Sequence, residues 1–169
     1  MTRRSASALD DIQIAFARLG PLIKVRMAES ASDFHPQLRS AGFTVLRMAL
    51  INAARSPERM LSVSDIVTET QMDKSVVSRQ LRDLKSWGLI KLQRSTQDAR
   101  VFQVLPTKLA QERYRQLKRS TFALYRDLLG SWDEQDVAQL GKLLLKLVQD
   151  IEDSGQLGGK PIACVRDNP

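Results

Sequence analysis

The 169-residue sequence predicts a mainly α-helical protein with one short β-hairpin near its centre, an α+β fold. Before residue 87 and after residue 106, apolar residues recur at steps of three and four, as they do on one face of a helix. Between these parts the period falls to two, which is typical of strands. The charge is also uneven: residues 74–119 hold twelve basic and three acidic side chains, whereas residues 127–153 hold two basic and seven acidic ones.

Two helices are predicted in the N-terminal part. The first covers residues 9–29, and the Gly-Pro pair at 20–21 should kink or break it, because proline lacks a backbone donor. The polar segment 30–40 is predicted to be a loop. The second helix should end before the Ser-Pro pair at 56–57. The apolar stripes of the two helices are Leu9, Ile12, Phe16, Leu19, Ile23 and Met27, then Phe43, Leu46, Leu50 and Ala54.

The central part predicts a short helix over residues 63–70, a tight turn at 71–73 and a longer helix over 74–86. Asp73 stands where a helix N-cap is favoured, and Gly88 stands where a left-handed C-terminal cap favours glycine. The longer helix has one apolar face, which should pack against the short helix and leave the opposite face exposed. That apolar face consists of Val77, Leu81 and Leu84.

The hairpin is predicted from two strands in which apolar and polar residues alternate. The polar residues 95–99 form the turn between the strands, and Pro106 ends the second strand because it cannot donate to a sheet. The apolar face that should hold the hairpin together consists of Ile90, Leu92, Phe102 and Val104.

Two further helices are predicted at the C-terminal end, with a Ser131–Glu134 capping box before the last one. Their apolar stripes resemble a coiled-coil seam, so they either pack within the chain or form a dimer surface with a second copy. The stripes are Ala110, Tyr114, Leu117, Thr121, Leu124 and Leu128, then Val137, Leu140, Leu144, Leu147 and Ile151. These patterns divide the chain into an N-terminal helix at 9–29, a central domain at 40–106, C-terminal helices at 107–153 and a flexible tail at 154–169.

A short helix, a turn, a longer helix and a hairpin in this order predict a winged helix-turn-helix, which places its second helix in the DNA major groove. Arg79 can reach a guanine edge, and Val76 suits a thymine methyl group. Lys74 and Arg82 suit phosphates. The residues of this helix expected to contact DNA are Lys74, Ser75, Val76, Ser78, Arg79 and Arg82.

The hairpin adds a second set of expected DNA contacts. Arg94 and Arg100 stand at its two sides, and an arginine on a thin protruding loop can enter a narrow minor groove. Asp98 lies two residues before Arg100 and should hold that guanidinium in an extended pose. We therefore expect Arg94, Asp98 and Arg100 to form a second probe, suited to a different groove.

This central stretch, from Leu61 to Thr107, resembles the winged-helix core of the MarR family, which are dimeric bacterial transcription regulators. The matching motifs are SVVSR at 75–79, WGLI at 87–90 and DAR at 98–100. The flanking helices extend the resemblance over residues 9–153. One departure is visible: where the family often has Leu-Thr-x-x-Gly, this chain has PTKLA at 106–110.

The resemblance implies a homodimer in which the helices at 9–29 and 107–153 form the dimerisation region. It also implies that this dimer binds a pseudo-palindromic operator in double-stranded DNA. In this family repression is usual, and a small molecule, often an aromatic or phenolic acid, releases the DNA by binding between the dimerisation and DNA-binding regions. The sequence identifies no ligand-binding residues. Some relatives sense oxidants through a cysteine near the first helix, but the single cysteine here is Cys164, so we expect no such switch.

The sequence lacks the residues that catalysis or metal binding would need. With one histidine, His35, and one cysteine, the sequence offers no nucleophile–base pair and no His/Cys ligand set, so we expect no enzyme, metal or cofactor. No apolar run is long enough to cross a membrane, so we expect a cytoplasmic protein with no membrane partner. The remaining alternative is a winged-helix module that binds other proteins, which would favour an acidic or apolar exposed helix face.

Overall fold

The computed structural model describes residues 3–55, 61–95 and 101–154. These residues form six helices and one two-stranded antiparallel sheet, so the predicted mainly α fold is confirmed. Residues 96–100, which hold most of the predicted hairpin turn, and residues 155–169, which hold most of the predicted tail and Cys164, lie outside the described residues. In chain order the elements are α1 (Arg3–Phe34), α2 (Ser40–Arg55), α3 (Val63–Thr70), α4 (Lys74–Ser86), β1 (Ile90–Arg94), β2 (Phe102–Pro106), α5 (Lys108–Leu129) and α6 (Glu134–Ser154).

Helix α1 belongs to the first of two compact units, residues 1–40. It is continuous through Pro21 and reaches Phe34, so it does not break at 20–21, and the loop predicted over residues 30–40 is shorter and covers only 35–39. Proline deletes only one helical hydrogen bond, and the bonds of the turns on either side maintain the helix. Every side chain from residue 7 to residue 25 is exposed, whereas Ala31 and Phe34 in the last turn are buried.

The second unit, residues 41–169, has a hydrophobic core to which α2, α3, α4, the hairpin and the first turn of α5 contribute. Helix α4 contacts both α3 and β1, and α3 also contacts β2. The inner face predicted for α4 is therefore the packed face. Fully buried side chains of this unit include Phe43, Leu46, Ile66, Val77, Leu84, Leu89, Ile90, Val104 and Ala110.

The two strands pair in one antiparallel register, from Ile90 opposite Pro106 to Arg94 opposite Phe102. A further bridge joins Ser62 to Gln103, and the Val104 N–H donates to the Leu61 carbonyl at 2.9 Å. The chain entering α3 therefore covers the outer edge of β2, which explains why the polar Gln103 is buried. Phe102, predicted to belong to the packed face, is 42% exposed because it lies at the end of the sheet where the chain passes from β1 to β2.

Helices α5 and α6 both begin at a capping side chain. The Thr107 hydroxyl accepts a hydrogen bond from the Ala110 N–H at 3.2 Å. Helix α6 begins at Glu134, and the carboxylate of Asp133 accepts from the Gln135 N–H at 2.7 Å. The capping box predicted at Ser131 and Glu134 is therefore wrong, because the helix starts two residues later than that box requires.

Large apolar side chains of α1, α5 and α6 are exposed in the single chain. The predicted stripe of α5 is buried at Ala110, but Leu128 near its end is 62% exposed. Phe122, which lies outside the predicted stripe, is 72% exposed. None of the described helices is long and apolar enough to cross a membrane. Other exposed apolar residues of these helices are Leu9, Ile12, Phe16, Leu19, Ile23, Tyr125, Leu143, Leu144 and Leu145.

Candidate nucleic-acid interface

The exposed face of α4 is the first part of the candidate interface. All six residues predicted to contact DNA from this helix are exposed, whereas Val77, Leu81 and Leu84 on the opposite face are almost fully buried. Among the described residues, no acidic side chain lies within ion-pair distance of Arg79 or Arg82. The face is therefore cationic and available to a partner. Its members are Lys74, Ser75, Val76, Ser78, Arg79 and Arg82.

The position of α4 depends on the caps of α3. Ser62 and Asp65 form a capping box, in which each side chain accepts a hydrogen bond from the other residue's N–H, at 3.0 and 2.8 Å. At the other end Gln71 has a left-handed backbone (φ 55°), and its N–H donates to the Val67 carbonyl. This residue turns the chain toward α4. Neither feature was predicted, although a Ser-x-x-Asp spacing just before an apolar run signals such a box.

Helix α4 begins and ends at the predicted residues, but only one of its two predicted caps is formed as expected. Asp73 is the N-cap residue, yet its side chain makes no capping hydrogen bond, so the predicted contact is wrong. The carboxylate is instead left exposed near the cationic face. At the C-terminal end Gly88 has φ +68°, a conformation that glycine adopts without strain, as predicted.

The hairpin places Arg94 at the end of β1 with its side chain exposed. Its guanidinium carbon lies 5.7 Å from the centre of the Phe102 ring on the opposite strand. Asp98 and Arg100, the other two predicted hairpin contacts, lie outside the described residues. The structure therefore locates one of the three hairpin residues.

An open groove of about 330 Å³ lies between α4 and the hairpin. Its apolar surface includes Leu92 and Phe102, and Arg82 and Lys85 contribute positive charge on the α4 side. Lys85 was not among the predicted contacts. Its spacing of three residues from Arg82 and seven from Ser78 places it on the same helix face, which is the signal that identifies it.

Thr107 connects the end of α4 to the start of α5. Its hydroxyl donates to the Gly88 carbonyl at 2.8 Å while accepting from the Ala110 N–H. Its own N–H donates to the Leu89 carbonyl at 3.0 Å. The PTKLA departure at 106–110 thus retains a capping threonine, and Ala110 is accommodated in the core with no exposed surface. The helix that carries the cationic face is therefore fixed at its C-terminal end.

Comparisons with known proteins agree with this architecture. Residues 48–101 match the model of the MarR family. No curated protein matches the chain.

Solved structures match over most of the length. The YusO protein from Bacillus subtilis is 22% identical, with 85% of this chain and 96% of that chain covered and a TM-score of 0.63. FabT from Streptococcus pneumoniae, solved in complex with DNA, is 21% identical, with 88% and 98% covered and a TM-score of 0.63. A MarR transcriptional regulator from Methanosarcina mazei Go1 is 16% identical, with 83% and 96% covered and a TM-score of 0.61. The resemblance inferred from the sequence motifs is confirmed, and the chain has the winged helix-turn-helix and the fold of the MarR family of transcription regulators.

Proposed function

We propose that the protein is a sequence-specific regulator of transcription that binds double-stranded DNA and acts in the cytoplasm. The observation that carries this proposal is the division of α4 into a buried apolar face and an exposed cationic face. A helix of this kind, supported by α3 and flanked by a hairpin, fits the width of the major groove. The structurally similar FabT was solved in complex with DNA, which supports DNA as the partner.

Within this proposal the exposed residues of α4 have different roles. Arg79 contacts a guanine edge, and Val76 contacts a thymine methyl group. Lys74 and Arg82 neutralise phosphates and position the helix without reading sequence. Ser75 and Ser78 donate or accept hydrogen bonds near bases or phosphates. On the hairpin side, Arg94 supplies a further cation, and Asp98 and Arg100 belong to the proposed minor-groove probe.

The protein binds DNA as a homodimer in this proposal. The support comes from α1, α5 and α6, which expose more large apolar side chains than a monomer of this size retains without a partner. These helices therefore form the dimerisation region, and residues 40–106 form the DNA-binding domain. A two-fold dimer binds a pseudo-palindrome whose half-sites are separated by about one helical turn, roughly 34 Å.

Regulation follows from the dimer. We propose that the bound protein represses transcription and that a small aromatic molecule releases it by changing the distance between the two DNA-binding domains. A ligand can do this only if it binds the dimer with one spacing of the two domains more tightly than the dimer with the other spacing. The described residues contain no cluster of three or more His, Cys, Asp or Glu residues that could hold a metal ion.

The experiment selects bound sequences from a random duplex pool and then measures the affinity for the selected site against salt. With Lys74, Arg82 and Arg94 on phosphates in each of two protomers, affinity should fall by about a thousandfold between 50 and 200 mM salt. Arg79→Ala should relax the preference at one base pair at a cost of about 1–3 kcal/mol. Arg39→Ala, which removes an exposed arginine between α1 and α2, is the matched control and should bind like the wild type.

Two outcomes would contradict the proposal. If no sequence is enriched and binding is insensitive to salt, the cationic face serves a protein partner instead. If Arg79→Ala retains the full sequence preference, the reading face has been assigned to the wrong residues. Light scattering at the concentration used for binding should give about twice the monomer mass of 19.0 kDa.

A further inference from the structure

An arginine and a phenylalanine form a cross-strand pair at the end of the hairpin where the chain passes from β1 to β2. Arg94 is the last residue of β1, and its partner in the register is Phe102, the first residue of β2. The guanidinium carbon lies 5.7 Å from the ring centre, within the distance at which a cation is attracted to the face of an aromatic ring. The ring therefore holds the guanidinium close to the hairpin.

Burial does not account for the phenylalanine at this position. Ile90 and Val104, on the same face of the hairpin, are 2% and 1% exposed, whereas Phe102 is 42% exposed. The Phe102 ring lines the groove beside α4 together with Arg82. A smaller apolar residue would complete the packed face equally well. The ring is better explained by what it supports, which is Arg94.

The side of the hairpin on which Arg94 lies is set by strand geometry. Side chains alternate along β1, so Arg94 shares the face of Ile90 and Leu92, which is the face toward α4. A DNA strand that passes between the groove read by α4 and the groove entered by the hairpin tip would run along this side. Its phosphates would then meet cations from both directions, Arg82 on α4 and Arg94 on β1.

We propose that Phe102 is the positioning residue of Arg94 and that the pair receives a phosphate of the DNA strand lying between the two grooves. The inference rests on the proposed function and adds to it a role for a residue that contacts no base. An arginine whose rotamers are already restricted loses less conformational entropy when it binds a phosphate. The ring thus contributes to affinity through Arg94 and not through its own contact with DNA.

A double-mutant cycle measures this coupling with the selected duplex. Phe102→Leu keeps an apolar side chain and removes the ring, so it should weaken binding by about two- to fivefold. In the Arg94→Ala background the same change should have no further effect. Phe102→Tyr retains the ring and should bind like the wild type. Lys91→Ala is the matched control: this exposed cation lies on the other face of β1, so its effect should add to that of Phe102→Leu.

A second measurement keeps the proposal testable if Phe102→Leu perturbs the fold. In the free wild-type protein the ring current of Phe102 should shift the Arg94 side-chain protons upfield in an NMR spectrum, and Phe102→Tyr should preserve that shift. Random-coil shifts for these protons in the wild type would overturn the proposal. So would an equal loss of affinity on Phe102→Leu with and without Arg94, which would show that the ring contacts DNA itself.

The experiments distinguish a failure of the role proposed for Phe102 from a failure of the proposed DNA-binding function. If the wild type selects no DNA sequence, the proposed function is wrong whatever the NMR spectrum shows. If the wild type selects a sequence and Arg79→Ala relaxes it, but the Arg94 and Phe102 substitutions act additively, only the role of Phe102 is wrong.

Discussion

Replacing Thr107 with valine should destabilise the protein measurably. Valine has nearly the shape of threonine but no hydroxyl, so two hydrogen bonds are lost together. One is the bond from the Ala110 N–H, which caps α5, and the other is the bond to the Gly88 carbonyl, which closes the end of α4. The backbone bond from Thr107 to the Leu89 carbonyl remains, because it does not involve the side chain.

The size of the effect follows from these two bonds. Removal of an N-cap side chain typically costs about 1 kcal/mol. The Gly88 carbonyl is exposed and gains water in place of the hydroxyl, so the second loss is a net hydrogen bond of about 0.5–1.5 kcal/mol. The free energy of unfolding should therefore fall by about 1–3 kcal/mol. For a chain of this length the melting temperature should fall by roughly 2–12 °C.

Urea unfolding at one fixed protein concentration is the appropriate assay, because association makes the apparent stability depend on concentration. Thr107→Ser is the matched control, since it keeps the hydroxyl and should retain most of the stability. The reasoning is refuted if the valine variant unfolds at the wild-type urea midpoint. It is also refuted if the serine variant loses as much stability as the valine variant, because the lost methyl group would then explain the effect.

Two further predictions concern α3 and the dimer. Ser62→Ala removes the hydroxyl that accepts from the Asp65 N–H and should lower the free energy of unfolding by about 1 kcal/mol. Ser64→Ala, at an exposed position of the same helix, is the control and should change this free energy little. Equal urea midpoints for the two variants would contradict the prediction. Leu128→Glu places a charge in the exposed apolar stripe of α5. Because burial of an unpaired charge in an interface is costly, light scattering should detect a monomer. Gln116→Glu on the same helix is the control and should remain dimeric. Persistence of the dimer in Leu128→Glu would remove α5 from the interface.

The sequence predicted the bounds of α3 and α4 correctly. Both helices have apolar residues at helical spacing and strong end signals, such as Gly88 after the second. The division of α4 into an inner and an outer face was also correct, because three buried residues at steps of four and three leave little freedom in the orientation of the helix. Local signals therefore sufficed for the centre of the candidate interface.

The sequence failed where neighbours in space decide the structure. Pro21 suggested an interruption, but the hydrogen bonds around it maintain the helix. Strand alternation placed Phe102 inside and Gln103 outside. The chain near Ser62 instead covers Gln103, and Phe102 is exposed because it lies at the end of the sheet. The segment around Ser62 has no strand pattern of its own, so its pairing with β2 could not be predicted from the sequence. The hairpin contacts Asp98 and Arg100 and the dimer remain predictions.

The bridge between Ser62 and Gln103 has a consequence for how this domain opens in solution. Ser62 belongs both to the start of α3 and to the edge of the sheet, where the neighbouring Leu61 carbonyl accepts from Val104. Fraying of the first turn of α3 therefore also exposes the edge of β2. In amide hydrogen exchange, Asp65 and Val104 should lose protection together and with similar free energies of opening. Helix α3 and the hairpin would then behave as one cooperative unit, so that α4, which packs against both α3 and β1, would lose both supports together.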